Sequence, residues 1–408
     1  MPVVGIVSEY NPFHNGHFYQ IQKIKVMFPD ATIISIMSGS LVQRGEPALF
    51  SKYSRAEIAA RNGIDAVFEL PSIYSNAPAN IFAFSAVYIM QKLTGIDYIC
   101  FGSECGNLEL LDFAAEKIMG EDFDLKLHET VKSNKNNSYP QNVYHLFRGL
   151  YGEEKAAVLN GSNNILAVEY LKSLKTLDSQ IKPITIKRTG ADFNSHSQPI
   201  DKTAVSAAYI RKFVEANKSD HEKLTELENF MPEPAYKISL ELIKNGKFTD
   251  INNISSAIIS HINRLEIEEI REIAEVFAGV DHRIKKSLDD CFDYYSLVKN
   301  LEAKHNTSSS VRRMILNVFF GITKEMQNKP PDFTVVLALN EKGGKFLNSI
   351  RKKTKIKIVT KPADMKNAMT NKIFEKNLFI DNIFKLALFN KDSEINEIKQ
   401  KPYIGDKT

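Results

Sequence analysis

The chain has 408 residues, 43% apolar and 25% charged, with a formal net charge of +4. That length exceeds what one hydrophobic core usually fills, so two or three domains are expected, and so mild a charge neither marks nor excludes a nucleic-acid partner with a local basic face. Cys100, Cys105 and Cys291 are too few for a disulfide framework, no apolar run reaches the roughly 18 residues of a membrane span, and the N-terminus lacks the basic stretch of a secretory signal, so a reduced, cytoplasmic protein is expected.

Residues 3–9, VVGIVSE, form a β-branched apolar run that predicts a buried strand of a parallel sheet. Residues 17–28 carry apolar side chains at helical spacing, and 31–39 predict a second buried strand ending at Gly39. A helix over 51–64 has Ser51 as its N-cap and Gly63 as its stop. A strand over 65–71, a buried helix over 80–95 and a strand over 97–104 follow. This alternation predicts a parallel, Rossmann-like sheet with helices on both faces. In such sheets ligands bind beyond the carboxyl ends of the strands, where SEYNPFHNGH, MSGSLVQRGEP, ELP and FGSE should meet.

From 106 to 180 the pattern is helical, broken at 133–141; a strand-like run begins at 181 and a helix covers 203–217. Residues 220–330 read as charged and helical, with 265–277 an amphipathic stretch. FTVVLALN, EKGGKFLNSIRKK and IKIVTK then read as a small strand–helix–strand unit, followed by a helix and a polar tail. The expected division is 1–217, 218–330 and 331–408.

His14 and His17 lie three apart at the start of the first helix, with Gly16 between them. Such residues share one face. A helix N-terminus offers free backbone N–H groups to anions, and imidazole N–H groups there can donate to phosphate oxygens. The run is neither a Walker loop nor a three-glycine dinucleotide fingerprint, and His-x-x-His lacks a convincing third ligand for zinc, so no resident metal is expected. Arg44 in QRGEP can reach phosphate or carboxylate bidentately. Gly102 leaves room for a base or ribose. Arg188 follows a later strand, Ser206 can cap the helix that Arg211 occupies, and Asn163 opens another helix.

GIVSEYNPFHNGH, MSGSLVQRGEPA, SKYSRAEIA, FELP, FGSE and SNNILAVEY together resemble the tRNA(Met) cytidine acetate ligase family of the nucleotidyltransferase superfamily. The resemblance covers most of residues 1–215 and continues more weakly through DHRIKKS, SVRRMILN and LALNEKGGKFL. It implies a nucleotidyltransferase-like catalytic domain that makes acetyl-adenylate and pyrophosphate from acetate and ATP. The acetyl group then passes to the wobble cytidine of elongator tRNA(Met), forming N4-acetylcytidine and releasing AMP. The implied ATP contacts are Val7, Ser8, Glu9, Tyr10, Asn11, Pro12, Phe13, His14, Asn15, Gly16, His17, Phe18, Tyr19 and Gln20, with Gly102, Asn163 and Arg188. Arg44, Ser206 and Arg211 are added from position and chemistry, and His14, His17 and Arg44 are the expected catalytic set. Magnesium is expected to accompany the triphosphate. The expected tRNA surface is Arg283, Lys285 and Lys286, Arg312 and Arg313, and Arg351 to Lys353. The late motif departs from Ser-x-Thr-Ser-Ile-Arg at Ala208 and Tyr209. Two alternatives stay open: an adenylyltransferase acting on a small molecule, and a nucleotide- or RNA-binding protein without catalysis.

Overall fold

The computed structural model describes all residues except 135–136, 189–204, 303–306, 362–363, 365–370, 391–399 and 406–408. The expected loop after the strand at 181 and the first residues of the helix expected at 203 lie outside the described residues.

Strand β1 (Val3–Ser8) runs into helix α1 (Asn15–Met27). Strand β2 (Thr32–Ser38) leads to a small hairpin, β3 (Leu41–Val42) and β4 (Glu46–Pro47), and then to α2 (Lys52–Arg61). Strand β5 (Ala66–Leu70), α3 (Ala79–Leu93) and β6 (Tyr98–Ser103) follow. Helices between 108 and 160 precede α4 (Ser162–Thr176) and β7 (Lys182–Lys187). The parallel strands lie in the order β5–β2–β1–β6–β7. The chain therefore builds outward on one side of β1 and then on the other. The crevice between the ends of β1 and β6 is the switch point where such sheets bind ligands.

The apolar runs are continuous because both faces are covered. Val4 and Ile6 of β1 pack in one core with Ile21 and Ile24 of α1 and Ala56 and Ala59 of α2. Ile34 and Ile36 of β2 pack on the opposite face with Phe82, Val87 and Met90 of α3 and Val168 and Leu171 of α4.

Helix α5 (Ala207–Asn217) is followed by a helical region in which α6 (Tyr294–Leu301) and α7 (Ser308–Phe320) bear on the site. The stretch at 265–277 holds only a short helix, Ile267–Arg271. Ile273 instead bridges to Thr323, and Glu275 turns the chain with a positive φ of 61°.

The strand–helix–strand unit at 333–359 is not separate from the parallel sheet. Strand β8 (Phe333–Leu339) pairs antiparallel with β5 and parallel with β9 (Lys357–Val359) and β10 (Tyr403–Ile404). The result is one eight-stranded sheet. The physical reason is that Phe333 to Ala338 are all buried, and a unit of two strands and one helix has no second layer to cover both faces of such a strand. Helix α8 (Glu341–Ile350) covers one face, and α9 (Lys372–Phe384) reaches back to the ends of β2 and β5. No helix among the described residues is long and apolar enough to cross a membrane.

Candidate active site

His14 is the N-cap of α1. Its Nδ1 accepts the Gly16 N–H at 3.0 Å, and the His14 N–H donates to His17 Nδ1 at 3.2 Å. A backbone N–H is always a donor, so neither Nδ1 carries a proton. Burial, with the Arg188 guanidinium second, holds His14 down at about 3, and burial holds His17 well below the usual histidine range. Both rings are therefore neutral, and each carries its proton on Nε2. The rings stack with centroids 3.8 Å apart, and Tyr10 meets His17 edge-on at 5.0 Å. Neither Nε2 has a protein partner among the described residues. Gly16 is required here, because a Cβ would sit 2.8 Å from His14 Cε1.

The expected free N–H groups at this helix end are occupied. The Asn15 N–H donates to Phe230 O, Gly16 to the His14 ring and His17 to His14 O. Two outward Nε2–H groups take their place as donors.

The remainder of the 7–20 segment mostly holds this geometry. Ser8 Oγ and Ser35 Oγ are 2.7 Å apart, Gln20 donates to Cys100 O at 3.1 Å, and Asn15 Nδ2 donates to Asn229 O at 3.0 Å. Asn11 Oδ1 accepts the Leu49 N–H at 2.7 Å, leaving the buried Asn11 Nδ2 without a partner among the described residues. Val7, Pro12, Phe13, Phe18 and Tyr19 are buried or half-buried around the loop.

At the end of β6, Glu104 accepts Asn163 N–H at 3.0 Å, Asn163 Nδ2 at 2.7 Å and Asn164 N–H at 2.7 Å. Asn164 Oδ1 accepts the Glu104 and Cys105 N–H groups in return. Asn163 thus meets the site already bonded to Glu104. Gly102 leaves space, but the Arg188 stem crosses it, with Cγ 3.2 Å from where a Cβ would be. Burial lowers the Arg188 guanidinium, and Glu104 opposes that shift.

Arg44 and Arg211 belong to a neighbouring group. Arg211 donates to Asn11 O at 2.8 Å and to Glu46 Oε2 at 3.2 Å, and Arg312 of α7 ion-pairs with Glu46 Oε1. Glu9 accepts the Gln43 N–H at 2.8 Å. Burial raises the Glu9 carboxyl, while that hydrogen bond and the charges of Arg211, Arg44 and Arg55 hold it down. Arg44 is lowered chiefly by burial, against Glu9 and Glu46. Ser206 caps α5 by accepting the Tyr209 N–H at 3.1 Å, and the Tyr209 ring packs edge-on against Phe230 at 5.6 Å.

The expected tRNA-facing residues divide. Lys286, Arg351, Lys352 and Lys353 are exposed. Arg283 donates to Leu301 O, and Lys285 donates to Ile262 O and Asn263 O at a helix end. Arg313 is withdrawn from this surface: its side chain is 7% exposed, paired with Glu275 at 2.6 Å and bonded to Gln43 O.

Composition did not single out Arg55, which is buried and donates to Phe50 O, Glu9 O and Gly39 O. The available signal was a charge on a helix face otherwise made by Ala56, Ile58 and Ala59.

A doubly wound sheet whose first strand runs into a helix capped by paired histidines has the architecture of a nucleotidyltransferase. Residues 1–401 match the family described as HIGH Nucleotidyl Transferase. The tRNA(Met) cytidine acetate ligase of Caldanaerobacter subterraneus subsp. tengcongensis is 34% identical over 396 residues, 96% of each chain. That of Clostridium botulinum (strain Kyoto / Type A2) is 35% identical over 407 residues, 97% of each. The apo crystal structure of Thermotoga maritima TmcAL matches with a TM-score of 0.90 at 29% identity, and its complex with alpha-thio ATP with 0.89 at 28%, each covering 99% of both chains. The chain belongs to the tRNA(Met) cytidine acetate ligase family.

Proposed function

We propose that this chain joins acetate to the 4-amino group of the wobble cytidine of elongator tRNA(Met), at the expense of ATP. In the first step an acetate oxygen attacks the α-phosphorus, the bond to the bridging oxygen breaks, and pyrophosphate leaves. In the second step the cytidine amine attacks the acyl carbon of acetyl-adenylate, AMP leaves with the bonding pair, and the amine loses a proton. The observation that carries this reading is the pair of Nε2–H donors of His14 and His17 beside Arg188, a ready receiver for charge developing on phosphate. Carboxylate attack on phosphorus needs positioning and neutralisation rather than a protein nucleophile.

Magnesium fits this site as a companion of the triphosphate. The carboxylates at hand, Glu9 and Glu104, are already bonded to backbone N–H groups, and no cluster of three His, Cys, Asp or Glu among the described residues forms a cage. Bound there, it would neutralise phosphate charge. Residues 1–217 would carry catalysis and 218–330 would meet tRNA, in the cytoplasm.

The test incubates the protein with ATP, labelled acetate and total tRNA. The expected result is label in tRNA as N4-acetylcytidine, dependent on ATP. Acetate-dependent pyrophosphate release with no label in RNA points instead to a small-molecule substrate, and no ATP turnover overturns both enzymatic readings.

A further inference from the structure

The chain leaves β1 through Tyr10, whose φ of 44° lies in the left-handed region. A bulky L side chain is disfavoured there, so the neighbouring structure must hold it. Two guanidinium groups hold the carbonyls of the residues on either side. Arg55 of α2 donates to Glu9 O at 2.7 Å, and Arg211 of α5 donates to Asn11 O at 2.8 Å. Arg55 is 1% exposed, and its other nitrogens donate to Gly39 O, just past β2, and to Phe50 O at 3.1 Å, just before α2. One planar fork thus ties together three separate stretches of backbone, which the point charge of an ammonium cannot reproduce.

The kink decides where the Tyr10 ring goes. That ring is buried, 4.9 Å from the Phe13 ring and edge-on to His17 at 5.0 Å. Phe13 meets His17 at 5.5 Å, and His17 stacks on His14 at 3.8 Å. The hydrogen bond from the His14 N–H to His17 Nδ1 is long, at 3.2 Å. Packing against Tyr10 and Phe13 therefore sets the ring orientation that so weak a bond leaves open.

We propose that Arg55 is a positioning residue for the ATP chemistry. It pins Glu9 O, holds Tyr10 in its left-handed conformation and, through the Tyr10 ring, sets the direction of the His17 and His14 Nε2–H groups. This rests on the reading above of those groups as phosphate donors. Without the fork the backbone relaxes at Tyr10 and the imidazoles turn, while the other contacts to ATP remain. The loss then falls on transition-state stabilisation, so kcat drops and KM for ATP holds.

The test follows the tautomers of isotope-labelled histidines by NMR, beside acetate-dependent pyrophosphate release. In the parent protein His14 and His17 should both show the Nε2–H form. Arg55→Lys should mix the His17 tautomers and lower kcat about ten- to a hundredfold, with KM for ATP within about twofold of the parent. Tyr10→Leu removes the ring at the other end of this chain of contacts and should move the same histidine signals. The double variant should lose no more kcat than the worse single one. Arg61→Lys makes the same exchange at an exposed position of α2 and should change neither readout. Parent-like histidine signals in folded Arg55→Lys overturn the proposal, as do additive losses in the double variant, which would make Arg55 a general support of the fold. If Arg55→Lys does not fold, unchanged histidine signals in Tyr10→Leu overturn it. If the signals move as expected but the parent releases no pyrophosphate, the setting of the rings stands and the ligase reading fails. If the parent turns over ATP and Arg55→Lys keeps its kcat, the reading stands and the proposal fails.

Discussion

His14 performs two tasks with one ring. Its Nδ1 caps α1, and this same bond forces the proton onto Nε2, where phosphate would be met. The tasks can be separated. Asparagine is also a good N-cap, so His14→Asn should keep the helix start while removing the outward donor. Adenylate formation, followed by pyrophosphate release, should fall about a hundredfold in His14→Asn and in His17→Ala, with the melting temperature of His14→Asn near that of the parent. Retained turnover would make both rings structural. The same ring sets a pH dependence. Its folded value of about 3 lies below the ordinary 6.5, so between those values the unfolded chain binds a proton that the folded one does not. Stability should therefore rise with pH across that window and level off above it, with a slope approaching about 1.4 kcal/mol per pH unit from His14. Denaturant titrations at several pH values should show a shallower slope in His14→Asn.

At the scale of elements, the site is assembled by strand ends and helix starts that lock each other. The end of β6 and the start of α4 exchange hydrogen bonds in both directions through Glu104 and Asn164. Gly161, just before α4, lies against the Glu104 carboxylate, and a Cβ there would overlap it. Gly161→Ala should therefore displace Glu104, cost about 1–3 kcal/mol in stability and raise KM for ATP through Asn163 and Arg188. A parent-like melting temperature and KM would show that the carboxylate simply swings aside. The β3–β4 hairpin is a second lock. Gly45 adopts φ = 74° directly against the α7 backbone, while Arg313 and Tyr294 bond to Gln43 O and Gly45 O. The helical region thereby reaches the loop that carries Arg44.

Across the whole molecule, the C-terminal helix closes a buried charge cluster. Lys52 Nζ lies 3.0 Å from Glu69 Oε2 and 2.6 Å from Asp381 Oδ2, and Ser40 Oγ donates to Asp381 at 2.7 Å. Asn377 of the same helix donates to Glu69 at 3.0 Å. Burial raises the Glu69 carboxyl, and Lys52 counters it. Asp381→Ala should destabilise the protein by about 3–5 kcal/mol in denaturant titration, because Lys52 and Ser40 each lose a buried partner and the buried Arg55 loses one of its counter-charges. A loss below 1 kcal/mol would mean that water enters and solvates the cluster. Helix α9 is thus structural for the ends of β2 and β5, with Asp381 329 residues from its partner Lys52.

The parallel strands and their helices are legible in the chain alone, since continuous apolar runs and 3.6-residue spacing are local properties. The same pattern predicts His14, His17, Arg44, Gly102 and Arg188 at one edge, because strand ends in such a sheet meet there, whereas Arg44 stands in the neighbouring group with Glu9 and Glu46. Tertiary structure alone decided three things. The histidine tautomer follows from bonds within a folded turn. The place of β8 beside β5 follows from the need to cover both faces of a buried strand. The withdrawal of Arg313 into an ion pair with Glu275, while Lys286 stays in water, follows from packing partners 38 residues apart. Periodicity says which residues want burial; only the assembled layers say what each one is buried against.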